Sequence, residues 1–384
     1  MKKTQKNVFW LGLVSFINDT SSKMILPILP LFIKELGGGG IAVGLIGGFG
    51  ESVASLFKML AGYFSDKLGR RKPFVFFGYL VSAFAKLGFA FSKIWPQVLG
   101  LKILERFGKG LRSAPADAII ASSTNKKTRG KGFGIHRAMD SAGSVLGAII
   151  AFILFWYLGF NFNKIFYAAG IIAFFSLIPL IFVKEKKQEK RVMNLKLGLK
   201  NLSKPLKLFI VIATIFAIGN FSYMFFVLKS QIYFEDKLAI GIPIILYILY
   251  NTSYTISAIP AGILSDKIGR KKVLFMGYTL FGIVCFGFIF LKSLLFFILL
   301  FLLLGINYAL VNATERAFVS DLARGPRGTA LGTFHMSISL VSLPGGLFVG
   351  YLWDINNIYP FIFGAIVTLI VIIMFSILCK KCEE

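Results

Sequence analysis

The sequence predicts an all-α membrane protein of twelve transmembrane helices in two pseudo-symmetric six-helix halves, and three observations carry that prediction. First, a charged bracket occurs twice, 200 residues apart. Ser65-Asp66-Lys67-Leu68-Gly69-Arg70-Arg71-Lys72 is answered by Ser265-Asp266-Lys267-Ile268-Gly269-Arg270-Lys271-Lys272, and Gly62 and Gly262 precede the two copies. A charged hairpin repeated between long apolar runs marks an internal duplication of membrane helices. Second, 56% of the 384 residues are apolar and 16% are charged, with a mean hydropathy of +0.76. A soluble globule keeps a good part of its surface wet and cannot hide so much apolar side chain. Third, glycines, prolines and charge clusters cut the chain into twelve apolar segments of about the 20 residues that a bilayer crossing needs.

In order, the segments are 8–33, 41–64, 73–91, 95–122, 132–158 and 163–183, then 207–234, 240–264, 273–291, 294–320, 329–353 and 358–379. The first follows Lys2, Lys3 and Lys6; it has no small-residue cleavage site and is too long for a signal peptide, so it is predicted to span. The second and eighth run into the two brackets, and the third and ninth leave them. The longest polar stretch, Lys184 to Lys207, follows the sixth segment. The predicted domains are therefore an N-terminal bundle (1–183), a cytoplasmic linker (184–206) and a C-terminal bundle (207–384).

Charge sorts the loops into two faces. The face that holds the N-terminus, the brackets and the linker carries 28 Lys and Arg; the other carries five, namely Lys34, Lys93, Lys164, Lys237 and Lys292. The positive-inside rule then puts both termini and the linker in the cytoplasm of a multi-pass protein of the cell (cytoplasmic) membrane. The net charge of +26 is thus a set of orientation signals beside anionic lipid, and nucleic acid is not an expected partner. Cys379-Lys380-Lys381-Cys382 has no second ligand pair to complete a zinc site, and Cys285 stands alone, so no metal and no disulfide framework is expected.

Ten basic residues fall inside the predicted spans: Lys23, Lys58, Lys86, Lys102, Arg106, Lys109, Arg112, Arg137, Lys229 and Arg316. Asp19, Glu51, Glu105, Asp117, Asp140 and Glu315 join them. A charge at mid-bilayer costs about 2.5–3.5 kcal/mol even on the lenient insertion scale, so these groups must face each other or a wet cavity. Asp19 and Lys23 lie one turn apart, and Pro27 and Pro30 should bend the helix after them. Glu51, Ser55 and Lys58 share a face of the second span. The fourth span is densest, with Lys102, Glu105, Arg106, Lys109 and Arg112 near its middle. Arg137 and Asp140 form an i,i+3 pair at the start of the fifth. Aligning Arg129-Gly130 with Arg327-Gly328 sets Asp117 opposite Glu315, and the C-terminal half offers Asn220, Tyr223, Gln231, Tyr247, Tyr250, Asn251 and Tyr254 instead of charges.

Gly62-x-x-x-Asp66-Lys67-x-Gly69-Arg70-Arg71-Lys72 and its copy from Gly262 to Lys272 resemble the signature of the major facilitator superfamily. Arg106-x-x-Lys109-Gly110 looks like that family's R-x-x-Q-G motif with Lys for Gln. The stretch Glu105 to Pro115 is similar to a bacterial and archaeal branch of unassigned substrate. Gly143-x-x-x-Gly147 is present in the fifth span, without the glycine-proline pair of drug/proton antiporters. The resemblance covers the whole chain. It implies rocking of two halves about a midplane site, a monomer, and a conformational latch at Gly62, Asp66, Gly69, Arg70, Gly262, Asp266, Gly269 and Arg270. In that latch Asp66 either caps a helix of the opposite half or pairs with nearby arginines.

No phosphate-cradling G-x-x-x-x-G-K-S/T exists, and no H-E-x-x-H or G-x-S-x-G, so an ATP-driven pump and a membrane hydrolase find no machinery here and no cofactor is expected. The first functional reading is a secondary transporter, coupled to protons, that exports a small organic solute. Its pathway residues would be Asp19, Lys23, Glu51, Lys58, Lys102, Glu105, Arg106, Lys109, Arg112, Asp117, Glu315 and Arg316. The second is exchange or import of an organic anion, carboxylate or phosphate, on the cations of the fourth span. A non-transporting sensor is the third. What separates the first two is whether Lys58, Arg106 and Arg112 are neutralised by Asp19, Glu51 and Glu105.

Overall fold

A computed structural model of the chain describes residues 3–124, 129–185, 203–323 and 327–381, with side chains at 3–5, 51, 129–131, 313, 327–329 and 377–381 left out of that description. Fifteen helices follow in order: α1 Lys3–Ile25, α2 Leu29–Glu35, α3 Gly40–Leu68, α4 Lys72–Phe89, α5 Trp95–Ser122, α6 Arg129–Trp156, α7 Phe162–Phe175, α8 Leu177–Ile181, α9 Lys204–Gly219, α10 Tyr223–Gln231, α11 Leu238–Ile268, α12 Arg270–Phe290, α13 Leu294–Leu322, α14 Arg327–Ile355 and α15 Tyr359–Lys381. They make the twelve spans because three spans are broken. Pro27 interrupts the first between α1 and α2, as the sequence predicts. Ser176 separates α7 from α8, two residues into a stretch that leads to Pro179. Asn220 ends α9, and the Ser222 hydroxyl starts α10 by accepting from the Met224 amide.

Nine spans among the described residues are long and apolar enough to cross a membrane by composition alone. The first, third and fourth are not among them, because α1, α4 and α5 carry buried or half-buried charge. Burial shows why they belong in lipid all the same. On α4, Lys86 is 1% exposed while Phe77 and Phe84 are 56% and 57% exposed. Polar groups turn inward and phenylalanines outward, the reverse of a water-soluble helix and the arrangement hydrocarbon requires.

The chain divides into two compact units, one of residues 1–37 and 49–195, the other of 38–48 and 196–384. In unit 1, α1 lies along α6, and α4 along α5 and α7. Val8, Leu11, Val14, Val75, Ile119 and Leu180 form an apolar core. In unit 2, α11, α12 and α15 pack about α13 and α9, and Phe226, Phe281, Phe288 and Phe361 interlock there at ring separations of 5.0–6.3 Å. The start of α3 belongs to unit 2. There Asp354 of α14 accepts from the backbone N–H of Gly40 at 2.5 Å and of Ile41 at 3.0 Å. It satisfies amides that the first turn of any helix leaves open.

The brackets depart from the simple loop expected. Asp66 and Asp266 stand in the last turns of α3 and α11, because Ser-Asp-Lys continues each helix until a glycine ends it. Gly69 and Gly269 have φ of +65° and +94°, a backbone that a side chain resists.

Candidate functional site

The densest polar construction lies inside unit 1, on α1, α4, α5 and α6. Helical spacing puts Lys102, Glu105 and Arg106 on neighbouring turns of α5. The Glu105 carboxylate takes Lys102 Nζ at 3.0 Å and Arg106 Nε at 3.3 Å, and all three side chains are 4–13% exposed. One carboxylate therefore serves two cations. Arg112, 7% exposed, goes to α4: its Nη1 donates to Ser82 Oγ at 2.6 Å, and its guanidinium lies 4.5 Å from the Tyr79 ring centre. Ser82 Oγ in turn donates to the Glu105 backbone carbonyl at 3.1 Å. Gly78 makes this possible, since a Cβ there would run into Arg112 itself.

A second chain of contacts runs from α4 through α1 to α6. Lys86 Nζ donates to the Asn18 backbone oxygen at 3.0 Å and to its side-chain oxygen at 2.9 Å. Asn18 Nδ2 donates to Asp19 Oδ1 at 3.1 Å. Ser15 Oγ donates to Asp140 Oδ1 at 2.6 Å, and Arg137 sits 3.5 Å from Asp140 Oδ2. Close helix approach builds this junction: at Gly143 and Gly147 of α6 a Cβ would strike the backbone of Phe16 and Thr20 on α1.

In unit 2 the ionisable content is small. Glu315 is 8% exposed and accepts the Tyr278 hydroxyl at 3.0 Å. Arg316, next in sequence, is exposed on another face of α13, so the two do not work as one buried pair. Lys229 is buried within α10, and its ammonium donates to Asn357 Oδ1 at 2.5 Å.

The sequence-predicted residues sort accordingly. Lys102, Glu105 and Arg106 are brought together on α5, Arg112 turns to Ser82 and Tyr79 of α4, and Asp19 belongs to the separate contacts that join α1 to Lys86 of α4. Lys58 and Lys109 are exposed, Lys23 and Asp117 half-buried, and Lys23, Lys58 and Lys109 all have partners. The Glu51 side chain lies outside the described residues. Arg137–Asp140 forms as expected but is half of a larger contact.

In the first bracket Asp66 pairs with Arg71, at 2.8 Å from Nη2, and Arg70 is exposed. Arg70 is thus not the partner of Asp66, because the turn at Gly69 aims the following residue away and returns Arg71. In the second bracket Arg270 does hold Asp266, at 2.5 Å, and reaches Asp321 at 3.3 Å. Sequence reasoning missed Glu185. Its carboxylate accepts the backbone N–H of Arg71 and Lys72 at 2.5 and 2.9 Å and caps α4 from the far end of the half. Only its place among the linker lysines, which it shares with Glu189, signals it.

Comparison with known proteins agrees with this architecture. The family model described as Major Facilitator Superfamily matches residues 11–242 and 210–381. An uncharacterized MFS-type transporter of Methanocaldococcus jannaschii is 48% identical over 374 residues, covering 96% of this chain and 94% of that one. Multidrug resistance protein 2 of Bacillus subtilis is 24% identical over 392 residues, with 96% and 95% coverage. The crystal structure of the nucleoside transporter NupG superposes with a TM-score of 0.78 at 14% identity, over 98% of this chain and 99% of that one.

Proposed function

The chain belongs to the major facilitator superfamily, and from that premise we propose that it is a proton-coupled secondary transporter that exports a small organic solute. Membership makes it a membrane transporter of small molecules and not an enzyme. The coupling and the direction are our reading, and it is carried by the two carboxylates at the α1–α6 junction, Asp19 of α1 beside Asn18 and Asp140 of α6 bound by Ser15 of α1. A carboxyl at such a junction can take up and release a proton as the helices shift, and the neighbouring Ser15, Asn18 and Arg137 tune its affinity. Resemblance to multidrug resistance proteins supports export, although identity is only 24%. The positive-inside distribution supports cytoplasmic termini, and the family supports a monomer with bundles of 1–183 and 207–384 joined by a cytoplasmic linker. A latch at the two brackets completes the cycle in this reading.

Anion exchange is less well supported. Arg106 shares Glu105 with Lys102, and Arg112 is engaged by the Ser82 hydroxyl and the Tyr79 ring, which hold its guanidinium without neutralising it. The test uses proteoliposomes with a trapped pH dye and a panel of cationic, neutral and anionic solutes. Solute-dependent dissipation of an imposed pH gradient, lost in Asp19→Asn and in Asp140→Asn, is the expected result. Gradient-independent exchange of anions alone would overturn it.

A further inference from the structure

The ammonium of Lys86 is buried in unit 1 without a carboxylate of its own. Lys86 stands in the last turn of α4, a place that favours a cation, yet it is only 1% exposed. Its acceptors are the backbone and side-chain oxygens of Asn18 on α1, at 3.0 and 2.9 Å. Both are neutral, and among the described residues no acidic side chain comes within ion-pair distance of it. The helices close tightly beside this contact. Ser21 Oγ of α1 donates to the Ala169 carbonyl of α7 at 2.6 Å. A Cβ at Gly170 of α7 would strike Leu87, the next residue of α4.

A tie between helices does not need a charge. A serine or a glutamine would donate to Asn18 as well, without placing an ammonium inside a membrane span. One contact further on, the charge meets an acid. The side chain of Asn18 that accepts from Lys86 donates through Nδ2 to Asp19 Oδ1 at 3.1 Å. Ammonium, amide and carboxyl thus stand in line, and an amide polarised at its oxygen donates more strongly from its nitrogen. A cation held this near a carboxyl favours loss of its proton.

Other titratable groups act here from the helices packed around the pair. α5 brings Lys102, Glu105 and Arg112 toward Lys86, and Lys109 toward Asp19. α6 brings Asp140, with His136 and Arg137 beside it, and α1 adds Lys23. Tyr79 of α4 lies within their field; α7 carries Lys164 and Tyr167, and α8 has no titratable residue. Glu105 is already shared by Lys102 and Arg106, which leaves Asp19 as the acid that the bridge from Lys86 reaches.

We infer that Lys86 is a positioning residue for proton exchange: held beside Asp19 by Asn18, it sets the pH at which that carboxyl takes up and gives back its proton. The inference rests on the proton-coupled reading and names what regulates its carboxyl on α1.

The test is an infrared titration of the full-length protein in lipid films, which needs neither a solute nor a gradient. The C=O stretch of the protonated Asp19 carboxyl is the band that Asp19→Asn removes. Lys86→Met takes away the cation that favours the ionised form, so the band should persist to higher pH, by about one pH unit or more. Lys86→Arg restores the charge and should titrate near the parent. Lys86→Gln keeps a donor for Asn18 and should shift as Lys86→Met does; it stands in if the methionine variant fails to accumulate. A band absent from the parent that appears in the neutral variants carries the same meaning. An Asp19 band that titrates at one pH in the parent and both neutral variants, or is absent from all three, overturns the inference. A merely structural tie would give that result, with a lower melting temperature for Lys86→Met and an unmoved titration. A shifted band without solute-dependent proton flux in proteoliposomes would instead sink the coupling reading and leave this pair standing.

Discussion

α5 and α13 are the fourth spans of their halves and almost the same length, 28 and 29 residues, yet their chemistry is opposite. α5 places five charges between Lys102 and Arg112, and α13 has none from Leu294 to Thr314. The difference shows that the fold needs only length and close packing from this span. What α5 adds must be stabilised locally. Glu105 is shared by Lys102 and Arg106, and Arg112 is held by a hydroxyl and a ring. The corresponding space in unit 2 is held by aromatic contacts that need no counter-charge. One repeat has thus kept buried ionisable groups, and the other has kept aromatic and amide side chains in their place.

The sharpest way to break this comparison is to remove a carboxylate from each half. Glu105→Gln strands two buried cations and should cost about 3–5 kcal/mol, the range for breaking one side of a buried ion pair. The protein should then melt far lower in detergent or fail to accumulate. Pairing the change with Lys102→Met should recover part of the loss, since one stranded charge goes with it. Glu315→Gln, by contrast, keeps an oxygen for the Tyr278 hydroxyl and should cost less than about 1 kcal/mol. Equal melting temperatures for the two single variants would mean that Glu105 is not neutralising its neighbours.

The two brackets sharpen the comparison on a smaller scale. Gly69→Ala and Gly269→Ala each force a side chain into positive φ, at about 1–2 kcal/mol. Gly262→Ala meets nothing within 4 Å and should be neutral, or gain slightly from better helix propensity. Thermal unfolding of the three variants separates turn geometry from packing. Next in size is Asp354→Ala, which leaves the Gly40 and Ile41 amides without their acceptor. A lost helix cap costs about 1 kcal/mol. Faster hydrogen exchange confined to the first turn of α3 is the expected signature, and unchanged exchange there would remove the cap from the account.

Legibility in the sequence follows range. The spans could be read because apolar runs and their punctuation are local, and α5 was found by its place in the repeat although composition alone does not mark it as spanning. The bracket glycines were readable for the same reason. Partners were not. Asp354 and Gly40 are 314 residues apart, and nothing near either one announces the other. Gly143 and Gly147 advertise a close helix contact without saying that α1 makes it, so the meeting of Asp140 with Ser15 is invisible until α6 is laid on α1. The partner of Lys86 was hidden in the same way, because the Asn18 groups that hold it are contributed by another helix. Composition likewise separated the charged half from the tyrosine half, but only the crossing of α11 and α13 at Gly305 brings Tyr250 and Tyr254 against Tyr308.

The smallest effect concerns which arginine each bracket uses. Arg71→Ala removes two donors to Asp66 and a contact with the Ala118 carbonyl at 3.3 Å. Arg70→Ala removes an exposed side chain. In the second copy the order reverses, because Arg270 spans Asp266 and Asp321. Ion pairs this close to solvent contribute about 0.2–1 kcal/mol and weaken with salt. Arg71→Ala and Arg270→Ala should therefore lower stability slightly at low ionic strength and converge on the parent at high salt. Arg70→Ala should track the parent throughout. A larger loss for Arg70→Ala than for Arg71→Ala would show that the two copies are wired alike, and that the turn at Gly69 does not select the partner.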